Sequence, residues 1–148
     1  MKLTENFKLS ELTKSATASK FNIDNSVPAH LMTNIYFIAG QMEKVREALD
    51  GNPIIISSGF RCKELNNKVG GSATSAHTKG LAIDFTCPKF GTPRQICKRL
   101  LERGILFDKL ILEFEQWVHI GYSTTEDRHQ VLTAVKQGSK TVYLAGLV

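Results

Sequence analysis

"SAHTKGLAIDF", residues Ser75–Phe85, joins a polar, glycine-containing turn to an apolar run and sets His77 and Asp84 seven positions apart. From Gly80 the chain continues Gly-Leu-Ala-Ile-Asp-Phe-Thr, a short apolar segment of strand length. Asp84 lies within it among Leu81, Ala82, Ile83 and Phe85. A carboxylate buried there without a partner is costly, so Asp84 needs one, and a cation serves well. Gly80 lets the backbone turn tightly ahead of the strand and is assigned no chemistry.

Downstream, Lys109–Phe114 and Gln116–Tyr122 are predicted as strands, with a bend near Glu115-Gln116. In "QWVHIGY", alternation puts Trp117, His119 and Gly121 on one face and Val118 and Ile120 on the other. With Val118 and Ile120 in the core, His119 looks toward a cleft. His77, Asp84 and His119 are therefore the candidate metal ligands. Two imidazoles and one carboxylate leave a fourth tetrahedral position for water, the ligand set of a catalytic zinc site; a structural site is closed by four protein ligands. A strand histidine taken singly is more often packed or at the surface, so the three residues carry weight only together.

The rest of the chain reads as one α+β domain, a small antiparallel sheet with flanking helices. A helical turn is expected at Ser10–Thr13, followed by loops. From Pro28 to about Leu49, Leu31, Ile35, Ile38, Met42, Val45 and Leu49 recur every three or four residues, the stripe of an amphipathic helix. Pro28 suits its first turn, and Asp50-Gly51 its stop. The run Pro53-Ile-Ile-Ile-Ser-Ser reads as a buried strand, and Lys63–Val69 as a helical turn. Thr92 and Pro93 open a helix that turns Ile96, Leu100 and Leu101 inward and ends at Gly104. Val131–Val135 and Thr141–Leu144 are weaker strand candidates about a Lys-Gln-Gly-Ser-Lys turn.

A chain of 148 residues is long enough to bury a core without staples. It is 42% hydrophobic and 22% charged, which is globular rather than disordered. No apolar stretch reaches the ~20 residues of a membrane span. The net charge of +5 points weakly to an acidic partner, but the basic residues are scattered and form no block, so a nucleic-acid site is not expected. Cys62, Cys87 and Cys97 are an odd set without a CxxC pair, read as plain thiols of a reduced compartment. The N-terminus lacks the apolar segment of a secretory signal, so synthesis in a cytoplasm is expected. His30 and His129 receive no role.

"SGFRCKELNNKVGGSATSAHTKGLAIDF" followed by "FDKLILEFEQWVHIGY" resembles the zinc D-alanyl-D-alanine carboxypeptidase family, peptidoglycan peptidases that share a fold with D,D-dipeptidases and the Hedgehog signalling domain. The family pattern is SGxR, SxHxxGxAxD and a late W-x-H strand. It is met here by Ser58–Arg61, Ser75–Asp84 and Trp117–His119. Ser10-Glu-Leu, Ser15, Ala18 and Asp24-Asn25 resemble the compact phage and bacterial branch, so the resemblance covers about residues 8 to 123.

The resemblance implies zinc on His77, Asp84 and His119. It implies that Arg61 pairs with a substrate carboxylate or polarises the scissile carbonyl, a contact that its fixed fork of donors makes directional. Ser75 is expected to hydrogen-bond substrate or a ligand. Many relatives carry an acidic residue three positions before the last zinc histidine; Gln116 stands there in this chain. Two carboxylates lie nearby, and the compact branch favours Glu113 as the general base with Glu115 as the alternative. Strand alternation puts both on one face and does not separate them.

The implied function is a zinc peptidase acting on peptidoglycan stem peptides or D-Ala-D-Ala type substrates, a monomer without nucleic-acid or membrane partners. A phage enzyme released to the cell wall fits the expected lack of a leader. Two other readings stand beside it. One is a wall-binding or virion structural domain that keeps the metal but does not cut. The other is an interaction module of the Hedgehog kind.

Overall fold

The longest apolar stripe forms the longest helix, as its periodicity requires. The computed structural model describes residues 1–148 and places helix α3 over Met32–Ala48, after helices α1 (Leu9–Thr13) and α2 (Ala16–Lys20). Ile35, Ile38, Ala39, Met42 and Val45 are fully buried along it. Pro28 does not enter this helix. It precedes a separate 3-10 turn, Ala29–Leu31, and Leu31 stays only partly buried. Asp50 and Gly51 both take left-handed backbone (φ 62° and 72°), which ends the helix where expected.

Six strands follow: β1 (Ile55–Ser58), β2 (Ala82–Thr86), β3 (Lys109–Glu113), β4 (Trp117–Gly121), β5 (Gln130–Gln137) and β6 (Lys140–Ala145). Helix α4 (Lys63–Lys68) and a 3-10 turn, Ala76–Lys79, lie between β1 and β2; helix α5 (Pro93–Glu102) lies between β2 and β3. Thr92 and Gln95 form a reciprocal capping box at the start of α5, with Pro93 in its first turn. Ile96, Cys97 and Leu100 are buried from this helix, while Leu101 is only partly covered.

The sheet order is β1-β2-β4-β3-β5-β6. It is mostly antiparallel, as expected, with one parallel pair, β3 and β5. The register explains why. Hairpin β3–β4 brings Gly121 opposite Lys109, so the chain leaves β4 at the end where β3 began. The inner side of β4 is already occupied by β2. Residues 122–129 therefore cross the sheet end and start β5 beside Lys109, in the same direction as β3. Asp108 fixes this crossing: its carboxylate accepts from the Arg128 backbone N–H at 2.8 Å, and from Nε and Nη2 at 3.0 and 2.9 Å.

Strand β1 is an edge strand, not a buried one. Its side chains alternate, and Ile55 is 55% exposed, because only β2 covers one of its sides. Across β2, β4 and β3, Ile83, Phe85, Val118, Ile120, Leu110 and Leu112 occupy one face and are buried. They join the apolar faces of α3 and α5 in the main core. The opposite face carries Asp84, His119 and Glu113 and opens into a groove of about 1140 Å³.

Candidate active site

Two strand partners start the site. Asp84 on β2 and His119 on β4 are directly opposed, and His119 Nδ1 lies 2.9 Å from Asp84 Oδ1. Val118 and Ile120 are fully buried on the other face, so the alternation expected for this strand holds. His77 comes from the 3-10 turn that feeds β2. Ser75 caps this turn by accepting the His77 backbone N–H at 3.2 Å, and Gly80 closes it with φ 70°. His77 Nε2 then lies 3.3 Å from Asp84 Oδ2. One ligand atom from each of His77, Asp84 and His119 falls within 4.8 Å of the others, a group that could hold a metal ion.

The surroundings suit such a group. His77 is 3% exposed, and its Nδ1 sits 2.7 Å from the Gly59 carbonyl. A carbonyl can only accept, so the Nδ1–H donates, and Nε2 is the ring nitrogen turned toward Asp84. Gly59 is required for this approach: a Cβ there would stand 2.5 Å from the Leu12 carbonyl oxygen. The Asp84 carboxylate is 7% exposed as a residue. Burial alone would raise its pKa, but hydrogen bonds and charge from His119 and His77 overcome that and hold it well below the ordinary carboxylate range. A buried anion between two imidazoles is the donor set of a divalent, borderline-soft cation.

Arg61 reaches the same carboxylate, with Nη2 3.5 Å from Asp84 Oδ2. Its Nε donates to Ser58 Oγ at 3.0 Å and its Nη1 to Asn66 Oδ1 at 3.3 Å. Asn66 is in turn held by donating to the Ser72 carbonyl at 2.9 Å. Ser58 and Gly59 belong to the SGxR motif, so their part was within reach of the sequence. Asn66 carried no signal, because nothing in a polar helical turn marks one amide over another.

The two glutamates separate. Strand β3 ends at Glu113, and Phe114 and Glu115 form a two-residue turn with φ 55° and 58°. The Gln116 backbone N–H closes it on the Glu113 carbonyl at 2.8 Å. Alternation therefore stops at Glu113, and Glu115 does not share its face. The Glu115 side chain is 54% exposed and pairs with Arg94 on α5, with Nε to Oε1 at 3.1 Å. Glu113 stays half-buried in the groove with Arg61, Asp84 and His119. Burial raises its pKa; the Asp84 charge adds to this, while His119 and Arg61 oppose it.

An α+β domain with two imidazoles and a carboxylate at the floor of a groove, and a second carboxylate beside them, has the design of a metal-dependent hydrolase. The chain belongs to the Peptidase M15 family, whose model matches residues 5–121. This is the family of zinc D-alanyl-D-alanine carboxypeptidases that the motifs resemble. Membership supports a metallopeptidase with a peptide-containing substrate. No curated protein matches the chain. No helix is long and apolar enough to cross a membrane.

Proposed function

We propose that the protein is a zinc peptidase that hydrolyses bonds in peptidoglycan stem peptides or D-Ala-D-Ala type substrates. His77, Asp84 and His119 would hold the zinc. When bound, zinc supplies Lewis acidity to the scissile carbonyl and makes water more acidic. Glu113 takes the proton of the attacking water and later delivers it to the leaving amine. The raised pKa of Glu113 suits a group that must both accept and return a proton. Arg61, held by Ser58 and Asn66, aims donors at the carbonyl oxygen or at a terminal carboxylate of the substrate. Ser75 serves mainly to position His77.

The observation that carries this reading is the convergence of His77, Asp84 and His119 beside Glu113 in one open groove. It is tested on purified peptidoglycan. Release of new amines that a chelator stops and zinc restores is the expected result. Stoichiometric zinc without any release would replace the peptidase with a wall-binding or structural domain that retains the metal.

A further inference from the structure

The terminal hairpin lies beyond the residues matched to the family, yet it lines the same groove. Its register makes this inevitable. Glu113 on β3 faces Ala134 on β5, which faces Tyr143 on β6, so one cross-strand row runs from Glu113 to Tyr143. Two residues further along, Lys136 faces Thr141 on the same side of the sheet. Lys136, Thr141 and Tyr143 all line the groove.

These three side chains have spare recognition capacity. Lys136 Nζ donates to Thr141 Oγ1 at 3.2 Å and lies 5.0 Å from the Phe114 ring centroid, but forms no ion pair. Tyr143 is 53% exposed, an aromatic left open beside the proposed base. Partial burial raises the pKa of its hydroxyl, and the negative charges of Glu113 and Asp84 raise it further, so the phenol stays a neutral donor on the groove side. An ammonium, an alcohol and a phenol offer donors to an anion.

We propose that Lys136, Thr141 and Tyr143 form a distal subsite for a substrate carboxylate. Four residues and two strand spacings separate Lys136 from His119, about 16 Å along the sheet. An extended peptide covers that distance in about five residues. The subsite therefore favours substrates that extend about five residues to the N-terminal side of the scissile bond and bear an acidic side chain there, over bare dipeptides. This rests on the peptidase reading for the position of the bond.

The test uses the full-length, zinc-loaded Glu113→Gln protein and hexapeptides ending in D-alanyl-D-alanine. Each carries glutamate or glutamine at a single varied position, and binding is measured by calorimetry. The glutamate peptide is expected to bind about three- to tenfold tighter when the acid lies about five residues from the bond. Lys136→Met removes that preference, whereas Lys140→Met, on the same hairpin but outside the groove, keeps it. Tyr143→Ala weakens both peptides. Equal binding of the two peptides, or a preference that survives Lys136→Met, overturns the subsite, and unchanged binding in Tyr143→Ala overturns the part given to Tyr143. In the active enzyme the same preference falls on KM rather than kcat. Preferential binding without cleavage by the active enzyme leaves the subsite standing and sinks the peptidase; cleavage without preference does the reverse.

Discussion

Glu113 and Glu115 are two residues apart and end in different chemistry. The left-handed pair Phe114-Glu115 turns the second carboxylate out to Arg94 and leaves the first in the groove. Glu113→Gln is expected to keep zinc at full stoichiometry and to lower turnover roughly 10²–10⁴-fold, the usual scale for loss of a general base. Glu115→Gln should leave turnover near that of the unaltered protein; a loss as large as that of Glu113→Gln would reverse the assignment. The convergence of His77, Asp84 and His119 was legible because a short motif and a period-two strand fix their direction. The two glutamates were not, since alternation is informative only while the strand lasts, and its last residue depends on a turn that no Asn-Gly signature announces. Cysteine chemistry is also decided residue by residue. Burial pushes the Cys97 thiol up to about 12 and raises Cys87 as well, while Cys62 is partly exposed at the start of α4. A thiol reagent at pH 8 should therefore label one cysteine quickly in the folded protein and three after denaturation.

Among the elements, the 3-10 turn before β2 packs closely against α3. Gly80 has φ 70°, and a Cβ there would stand 2.8 Å from Ile35 Cδ1 on α3. Gly70 has φ 76°, with nothing within 4 Å of its would-be Cβ. Both alanine variants carry backbone strain of about 1 kcal/mol, but Gly80→Ala must also displace the core-facing Ile35. Thermal unfolding should show Gly80→Ala clearly less stable than Gly70→Ala, and equal losses would mean that α3 yields freely. The crossing segment 122–129 depends on charge instead. The Asp108 pKa is lowered chiefly by the side-chain hydrogen bond from Arg128, with burial opposing. A depressed carboxyl stabilises the fold above its unfolded value and loses that contribution as pH falls through the folded one. Amide protection in 122–129, taken relative to the intrinsic exchange rate at each pH, should therefore fall on acidification below the ordinary carboxylate range, and Asp108→Asn should bring that loosening to neutral pH. The strands themselves were read from composition and periodicity, but their order was not. Neighbouring runs are taken to pair in sequence, and β5 instead passes to the far side of β3. The edge position of β1 and the shared row of Glu113 and Tyr143 follow from that order, so neither could be seen beforehand.

At the level of the whole molecule, the proposed metal site lies where separate parts of the fold are joined. His77 leans on Gly59, which packs against α1 through Leu12, while Asp84 and His119 belong to central strands whose other face is the main core. Without a cation, the buried Asp84 carboxylate relies on two imidazoles and Arg61 for compensation. An ion that binds this folded arrangement and not the unfolded chain must stabilise every element that supplies a ligand. At a zinc concentration a hundred times the Kd, the gain is about 2.7 kcal/mol. For a domain of this size that corresponds to a rise in Tm of about 5–10 °C. Scanning calorimetry of chelator-treated protein with and without added zinc measures this directly. Asp84→Asn keeps the shape but removes the charge, and should abolish both the shift and the bound zinc. A shift that persists in Asp84→Asn would place the ion elsewhere in the molecule.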